Sequence, residues 1–137
     1  MDMYALQKAD SQEVIAKIKE ADSFFSRLRG LTFKKNINER EGLLLTKTKQ
    51  IHTHFMFFAI DVIYLKKETE NKYLVIDLEK DVKPWRISKA RSKATDVLEL
   101  KNGMINRTGI KIGSVLVKKS YTKNKKQVKR PTFFTIL

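Results

Sequence analysis

The chain contains no cysteine. Disulfides, thiolate zinc centres, iron–sulfur clusters and a cysteine nucleophile are therefore excluded, and the composition suits a reducing compartment. Long apolar runs are missing too. The longest stretch without a polar residue is Phe55–Ile60, far short of the ~18 residues that would span a bilayer. The opening segment MDMYALQKADSQ carries two aspartates and no apolar h-region, so the expectation is no signal peptide and a cytoplasmic location. Familiar catalytic signatures are equally absent. There is no GxGxxG or P-loop to cradle phosphates, no GxSxG elbow, no paired carboxylates in a catalytic frame, and no aromatic motif of an RNA-recognition sheet. No internal repeat or heptad pattern occurs, and nothing calls for a cofactor.

Acid is scarce: 15 acidic residues against 29 basic ones leave a net charge of +14. Lys118, Lys119, Lys123, Lys125, Lys126, Lys129 and Arg130 follow one another with no acid among them. Such a field attracts polyanions, which makes Lys123, Lys125, Lys126, Lys129 and Arg130 candidates for nucleic-acid contact. Lysine greatly outnumbers arginine, however, and phosphate recognition favours arginine. A solvated lysine-rich surface accounts for the same charge.

What is present suits one compact domain, because 137 residues falls in the usual range of about 100–150. Val14, Ala16 and Ile18 alternate with polar neighbours and predict a first strand ending near Glu20. Asp22 or Ser23 could cap a short helix bearing Phe24, Phe25 and Leu28 on one face and closed by Gly30. A polar loop over 34–42 precedes a short buried strand, Leu43–Thr46. Residues 60–65 and 73–79 read as an antiparallel hairpin, with KKETENK (66–72) as its loop. The segment 83–93 is an irregular basic connection interrupted by Pro84. Thr95–Leu100 reads as a further strand. Asn102-Gly103 signals either a hairpin turn or, as we favour, entry to a short helix, Met104–Thr108, stopped by Gly109. A last strand, Ser114–Lys118, follows Gly113. The fold class is thus mostly β (α+β), an antiparallel barrel or sandwich with one or two short helices. It spans residues 1–118 and is followed by a basic tail, 119–137, whose end PTFFTIL is apolar enough to dock.

Chemistry-bearing residues concentrate in Ile51–Leu65 and in the 83–93 connection. His52 and His54 are the only histidines, and on a strand their spacing puts both imidazoles on one face. With Asp61 they could ligate a metal, but nothing completes the set, so no metal is expected. Asp61 itself follows an apolar run. A carboxylate there must be satisfied by backbone N–H groups or by a cation such as Arg27, Arg29 or Arg86. Trp85 and Arg86 follow a proline that fixes the local backbone, and exposed together they could stack on a base, a sugar ring or a peptide side chain.

The ordered segments RLRGLTF (27–33), EGLLL (41–45), IHTHFMFFAIDVIYL (51–65), VKPWR (82–86) and VLELKNGMINRTGIKIGSVL (97–116) resemble the family called domain of unknown function 192. The chain is most similar to its His-Thr-x-x-Met…Ile-Asp-Val…Pro-Trp-Arg subgroup. The resemblance puts His52, Thr53, Met56, Ile60, Asp61, Val62, Pro84, Trp85, Arg86, Leu98, Glu99, Leu100 and Gly103 on the family's motif positions. Phe57 stands where that pattern has arginine and Ala59 where it has proline, which leaves Asp61 short of one potential partner. The resemblance implies a compact, mostly antiparallel β fold and the branch of the family without a leader segment. It implies no activity.

Three functions compete at this point. The leading one is a non-enzymatic module binding a small molecule or protein partner, with His52, Thr53, Met56, Asp61, Trp85 and Arg86 around its ligand. The second is a small enzyme using His52 and Asp61 as an acid–base pair. The third is a polyanion binder using the tail and the 83–93 connection.

Overall fold

The computed structural model describes residues 3–23, 26–27, 31 and 36–121. Among the described residues, seven strands close into a barrel: β1 (Met3–Lys8), β2 (Val14–Ala21), β3 (Glu41–Leu45), β4 (Ile60–Thr69), β5 (Lys72–Val82), β6 (Asp96–Lys101) and β7 (Val115–Tyr121), accompanied by the helix α1 (Met104–Thr108). Around the barrel the order is β1-β2-β3-β6-β4-β5-β7. All neighbours are antiparallel except β2 and β3, which pair in parallel from Lys17↔Glu41 to Ala21↔Leu45.

Period-two alternation supplies the core. Leu6, Ile18, Leu44, Ile63, Leu65, Leu98, Leu100 and Leu116 are fully buried and meet in one interior cluster. Each contributes roughly 1.5–3 kcal/mol when removed from water. One mouth of the barrel is plugged by α1, whose Met104 and Ile105 join that cluster together with Ile110. The helix sits between Gly103 at φ 96° and Gly109 at φ 72°, so Asn102-Gly103 opens a helix as favoured above. Gly42 is required for a different reason: a Cβ there would lie 2.6 Å from Leu100 Cδ2.

A second apolar cluster lies on the outer face of the sheet. Ile60, Val62, Tyr64 and Val97 project outward and are covered by Leu31, Ile37, Ile51, Met56 and Ala94. The segments 51–58 and 83–94 are therefore held against the barrel wall by burial.

Several expectations change. A strand ahead of the expected first one, β1, was missed; it pairs with both β2 and β7 and closes the barrel. In β2, Ile15 and Ala16 are both buried while Val14 is 38% exposed, because an irregularity opposite Leu6/Gln7 breaks the simple alternation. The charged stretch 66–72 is mostly strand, with Lys66↔Leu74, Lys67↔Tyr73 and Thr69↔Lys72 in register. Backbone pairing continues there because exposed strand ends need no apolar side chains. The final strand runs to Tyr121 rather than ending at Lys118. The expected helix anchored by Phe24, Phe25 and Leu28 and the tail with Lys123, Lys125, Lys126, Lys129 and Arg130 lie outside the described residues, apart from helical turns at 26 and 27.

Candidate functional site

Thr53 is the pin of the Ile51–Leu65 segment. It is wholly buried, and its hydrogen bonds stitch two loops together. Its N–H donates to the Arg86 carbonyl at 2.8 Å, and its own carbonyl accepts from Trp85 N at 3.0 Å and Met56 N at 3.2 Å. The hydroxyl donates to the Lys83 carbonyl at 2.7 Å and accepts from Arg86 N at 2.8 Å. Flanking contacts extend the seam. His52 and Ile87 form a β-bridge, Ser88 N donates to the Ile51 carbonyl at 2.9 Å, and Ile51 N donates to Ser88 Oγ at 3.0 Å.

This locking has a consequence for the side chains above it. Phe55 sits at φ 63° and Trp85 at φ 65°, a left-handed conformation that bulky residues rarely adopt. Both rings point outward. Phe55, Phe57, Trp85 and Ile87 are 50%, 63%, 57% and 64% exposed. His54 lies 5.4 Å from Trp85 between ring centres, Phe55 meets Trp85 edge-on at 4.7 Å, and His52 lies 5.3 Å from His54. His54 N donates to His52 Nδ1 at 3.3 Å. The result is a ridge of aromatic and imidazole rings on a rigid base.

The cations of the 83–93 connection are not equivalent. Arg91 is committed to the fold: its Nε donates to Asp77 at 2.9 Å, its Nη1 lies 3.3 Å from Glu79, and its guanidinium stacks 4.1 Å over the Tyr64 ring. That hydrogen bond holds the Asp77 carboxyl below its ordinary range. Lys83 pairs with Asp81 at 2.7 Å. Arg86, Lys89 and Lys93 are exposed, and the Arg86 guanidinium donates to the Pro84 carbonyl at a long 3.4 Å.

Asp61 does something else. It is 1% exposed, and its carboxylate accepts from three backbone amides: Asp81 N at 2.9 Å, Gly103 N at 3.1 Å and Ile105 N at 2.8 Å. It anchors the start of α1 to the β5 end. None of these bonds involves His52 or an arginine, so the acid–base pair loses its orienting carboxylate. Backbone amides at both oxygens take the place of the expected Arg27 or Arg86 cation, and Arg29 lies outside the described residues. Phe57 in place of arginine therefore leaves no deficit at Asp61.

The sequence-derived set thus divides. His52 and Trp85 come together through His54 and Arg86 is exposed, whereas Thr53, Met56 and Asp61 are buried. Among the described residues no group of three His, Asp or Glu side chains is placed to hold a metal. His54, Phe55, Phe57 and Ile87 were missed as surface groups. The available signal was the apolar run 55–58, since four consecutive large residues on an extended chain cannot all face one side.

Glu99 is a second residue that sequence reasoning left without a role. On β6 it faces the outer cluster between its register neighbours Val62 and Leu43, and it is 2% exposed. Its Oε1 has no hydrogen-bond partner among the described residues. Burial pushes its carboxyl up to about 8.

The family model described as DUF192, an uncharacterized ACR, matches residues 5–117, and the chain belongs to that family. It is 31% identical over 112 residues to a UPF0127 protein of Thermococcus sibiricus, covering 79% of this chain and 70% of that one. A UPF0127 protein of Pyrococcus furiosus is 31% identical over 114 residues, covering 81% and 94%. Among solved structures, a candidate transcription regulator from Sinorhizobium meliloti superimposes with a TM-score of 0.73 at 18% identity, covering 85% of this chain and 92% of that one. A protein of unknown function from Novosphingobium aromaticivorans gives 0.70 at 18%, covering 83% and 82%. These likenesses support the fold and carry no enzymatic role. No helix among the described residues is long and apolar enough to cross a membrane.

Proposed function

We propose that this member of the DUF192 family is a non-enzymatic binding module of the cytoplasm that takes an acidic segment of a partner protein on the ring ridge. The carrying observation is the pair of strained residues, Phe55 and Trp85, that hold their rings outward on loops locked by buried Thr53. Aromatic side chains presented rigidly lose little entropy on binding, and they dominate the centres of protein interfaces. Exposed Arg86, next to Trp85 in the chain, and the net charge of +14 complement acidic residues flanking an apolar anchor.

Selection from a displayed random-peptide library, against the wild type and against a Phe55→Ala/Trp85→Ala variant, tests this reading. Enrichment of peptides with an aromatic or aliphatic residue beside acids, on the wild type alone, supports it. Equal enrichment on both proteins refutes it. So does retention on RNA or heparin that outlasts the double substitution and weakens steeply with salt, which would move the function to a polyanion.

A further inference from the structure

Outside the closed barrel, a short extended ribbon forms where 51–53 runs antiparallel to 86–88, bridged at His52↔Ile87. Its hydrogen bonds alternate along the chain. The Arg86 carbonyl accepts from Thr53 N, and Ser88 N donates to the Ile51 carbonyl. Arg86 N donates to Thr53 Oγ1, and the Ser88 carbonyl accepts from Gln50 Nε2 at 2.8 Å. Arg86 and Ser88 thus turn their main-chain groups toward 50–53. Ile87, between them, turns its own the other way, as an extended chain requires. Among the described residues neither its N–H nor its C=O has a partner, and the Lys89 N–H has none either.

The side chains alternate in the same rhythm. Ser88 is buried, whereas Ile87 is exposed on the face it shares with its cross-strand neighbour His52. The His52 ring leads through His54 to Trp85, so the open edge runs alongside the ring ridge. The connection that bears it is basic: Lys83, Arg86, Lys89, Arg91 and Lys93 occur in 83–93 without an acid. Lys83 and Arg91 are paired with Asp81 and Asp77, while Arg86 and Lys89 are exposed. An open strand edge is a template for another chain. Main-chain pairing there gives affinity, and alternate side-chain positions give selectivity.

We propose that Ile87 is the main-chain contact of the partner: an extended acidic segment adds as a third strand, antiparallel to 86–89, and one of its residues exchanges both hydrogen bonds with Ile87. The assignment rests on the ring-ridge reading and gives it a register. The partner residue opposite Ile87 lies about 5.5 Å away between Cα atoms, on the ridge side, and is apolar. The residue two before it falls opposite Lys89 and is acidic. A helical segment does not fit, because its main-chain groups are already bonded to one another.

The probe is the capped peptide Thr-Glu-Thr-Phe-Thr-Glu-Thr, whose glutamates and phenylalanine share one face of a strand. It is titrated against the full chain by calorimetry and by the fluorescence of Trp85, the only tryptophan. Saturable binding is expected. N-methylation of the phenylalanine amide removes the donor to the Ile87 carbonyl and should weaken binding at least about tenfold. N-methylation of the threonine after it, whose N–H points away from Ile87, should change the affinity less than about twofold. Bound peptide should slow hydrogen exchange of the Ile87 amide at least about tenfold. Two N-methyl peptides that bind like the parent, or unchanged Ile87 exchange at saturation, overturn the added strand. The ridge then stands if Phe55→Ala/Trp85→Ala still abolishes calorimetric binding. Binding that survives this double substitution and is lost on phenylalanine N-methylation supports the edge and overturns the ridge. Absence of saturable binding overturns the assignment. So does an Ile87 amide already slow to exchange in the free chain, which would place a second copy or the chain's own tail on the edge.

Discussion

Glu99→Gln should remove a pH-dependent weakness from the outer cluster. In the folded chain the carboxyl is raised from 4.5 to about 8 by burial alone. Between those values the unfolded chain has released the proton and the folded chain still holds it. Glu99 therefore supports the fold fully below pH 4.5, and that support is lost as pH rises through about 8. At about 1.36 kcal/mol per pH unit, the loss is on the order of 5 kcal/mol across the window. That is a large share of the roughly 5–15 kcal/mol that stabilises a typical domain. Urea unfolding of wild type and Glu99→Gln, followed by far-ultraviolet circular dichroism at pH 5 and 7.5, isolates the effect, because the other titrating groups are common to both. The wild type should lose about 3 kcal/mol more than the variant over that interval. A difference below about 1 kcal/mol, or a carbon-detected NMR titration placing the Glu99 midpoint under 6, would refute the reasoning. The first outcome would mean that a partner outside the described residues satisfies the carboxylate.

The other predictions concern the anchors and the ridge. Asp61→Ala leaves three amides of the β5 end and the start of α1, that of Ile105 buried, without their acceptor, and chemical denaturation should show a loss of about 3 kcal/mol. Thr53→Val keeps the volume but strips the hydroxyl from Lys83 and Arg86, so about 1–3 kcal/mol should go, with greater amide hydrogen exchange at 83–87. Trp85→Gly relieves a positive φ at an exposed site. Its Tm should stay level or rise while selected peptides no longer bind, and a clear fall in Tm would show that the indole is needed for packing. Gly42→Ala forces a methyl against Leu100 and should cost about 1–3 kcal/mol in the same denaturation assay.

Much of the architecture is written locally. Alternation along 60–65 and 95–100 marks strands because successive side chains must face opposite sides. The glycines around Met104–Thr108 mark a short helix because they supply left-handed φ at both ends. Asp61 reads as constrained from sequence because a carboxylate in an apolar run must find donors. Which donors it finds is not local. The amides of Asp81, Gly103 and Ile105 lie 20, 42 and 44 residues away, and only strand pairing brings them together. The same holds for β1, whose partners β2 and β7 are adjacent and distant in the chain. The order of the residues thus determined the strands other than β1, the short helix between its glycines and the family. Tertiary structure decided that Asp61 faces the backbone rather than His52, that Glu99 is enclosed between Leu43 and Val62, and that the rings of Phe55 and Trp85 turn outward. Periodicity is set within a few residues, whereas burial and partnership depend on which distant strands the barrel closes together.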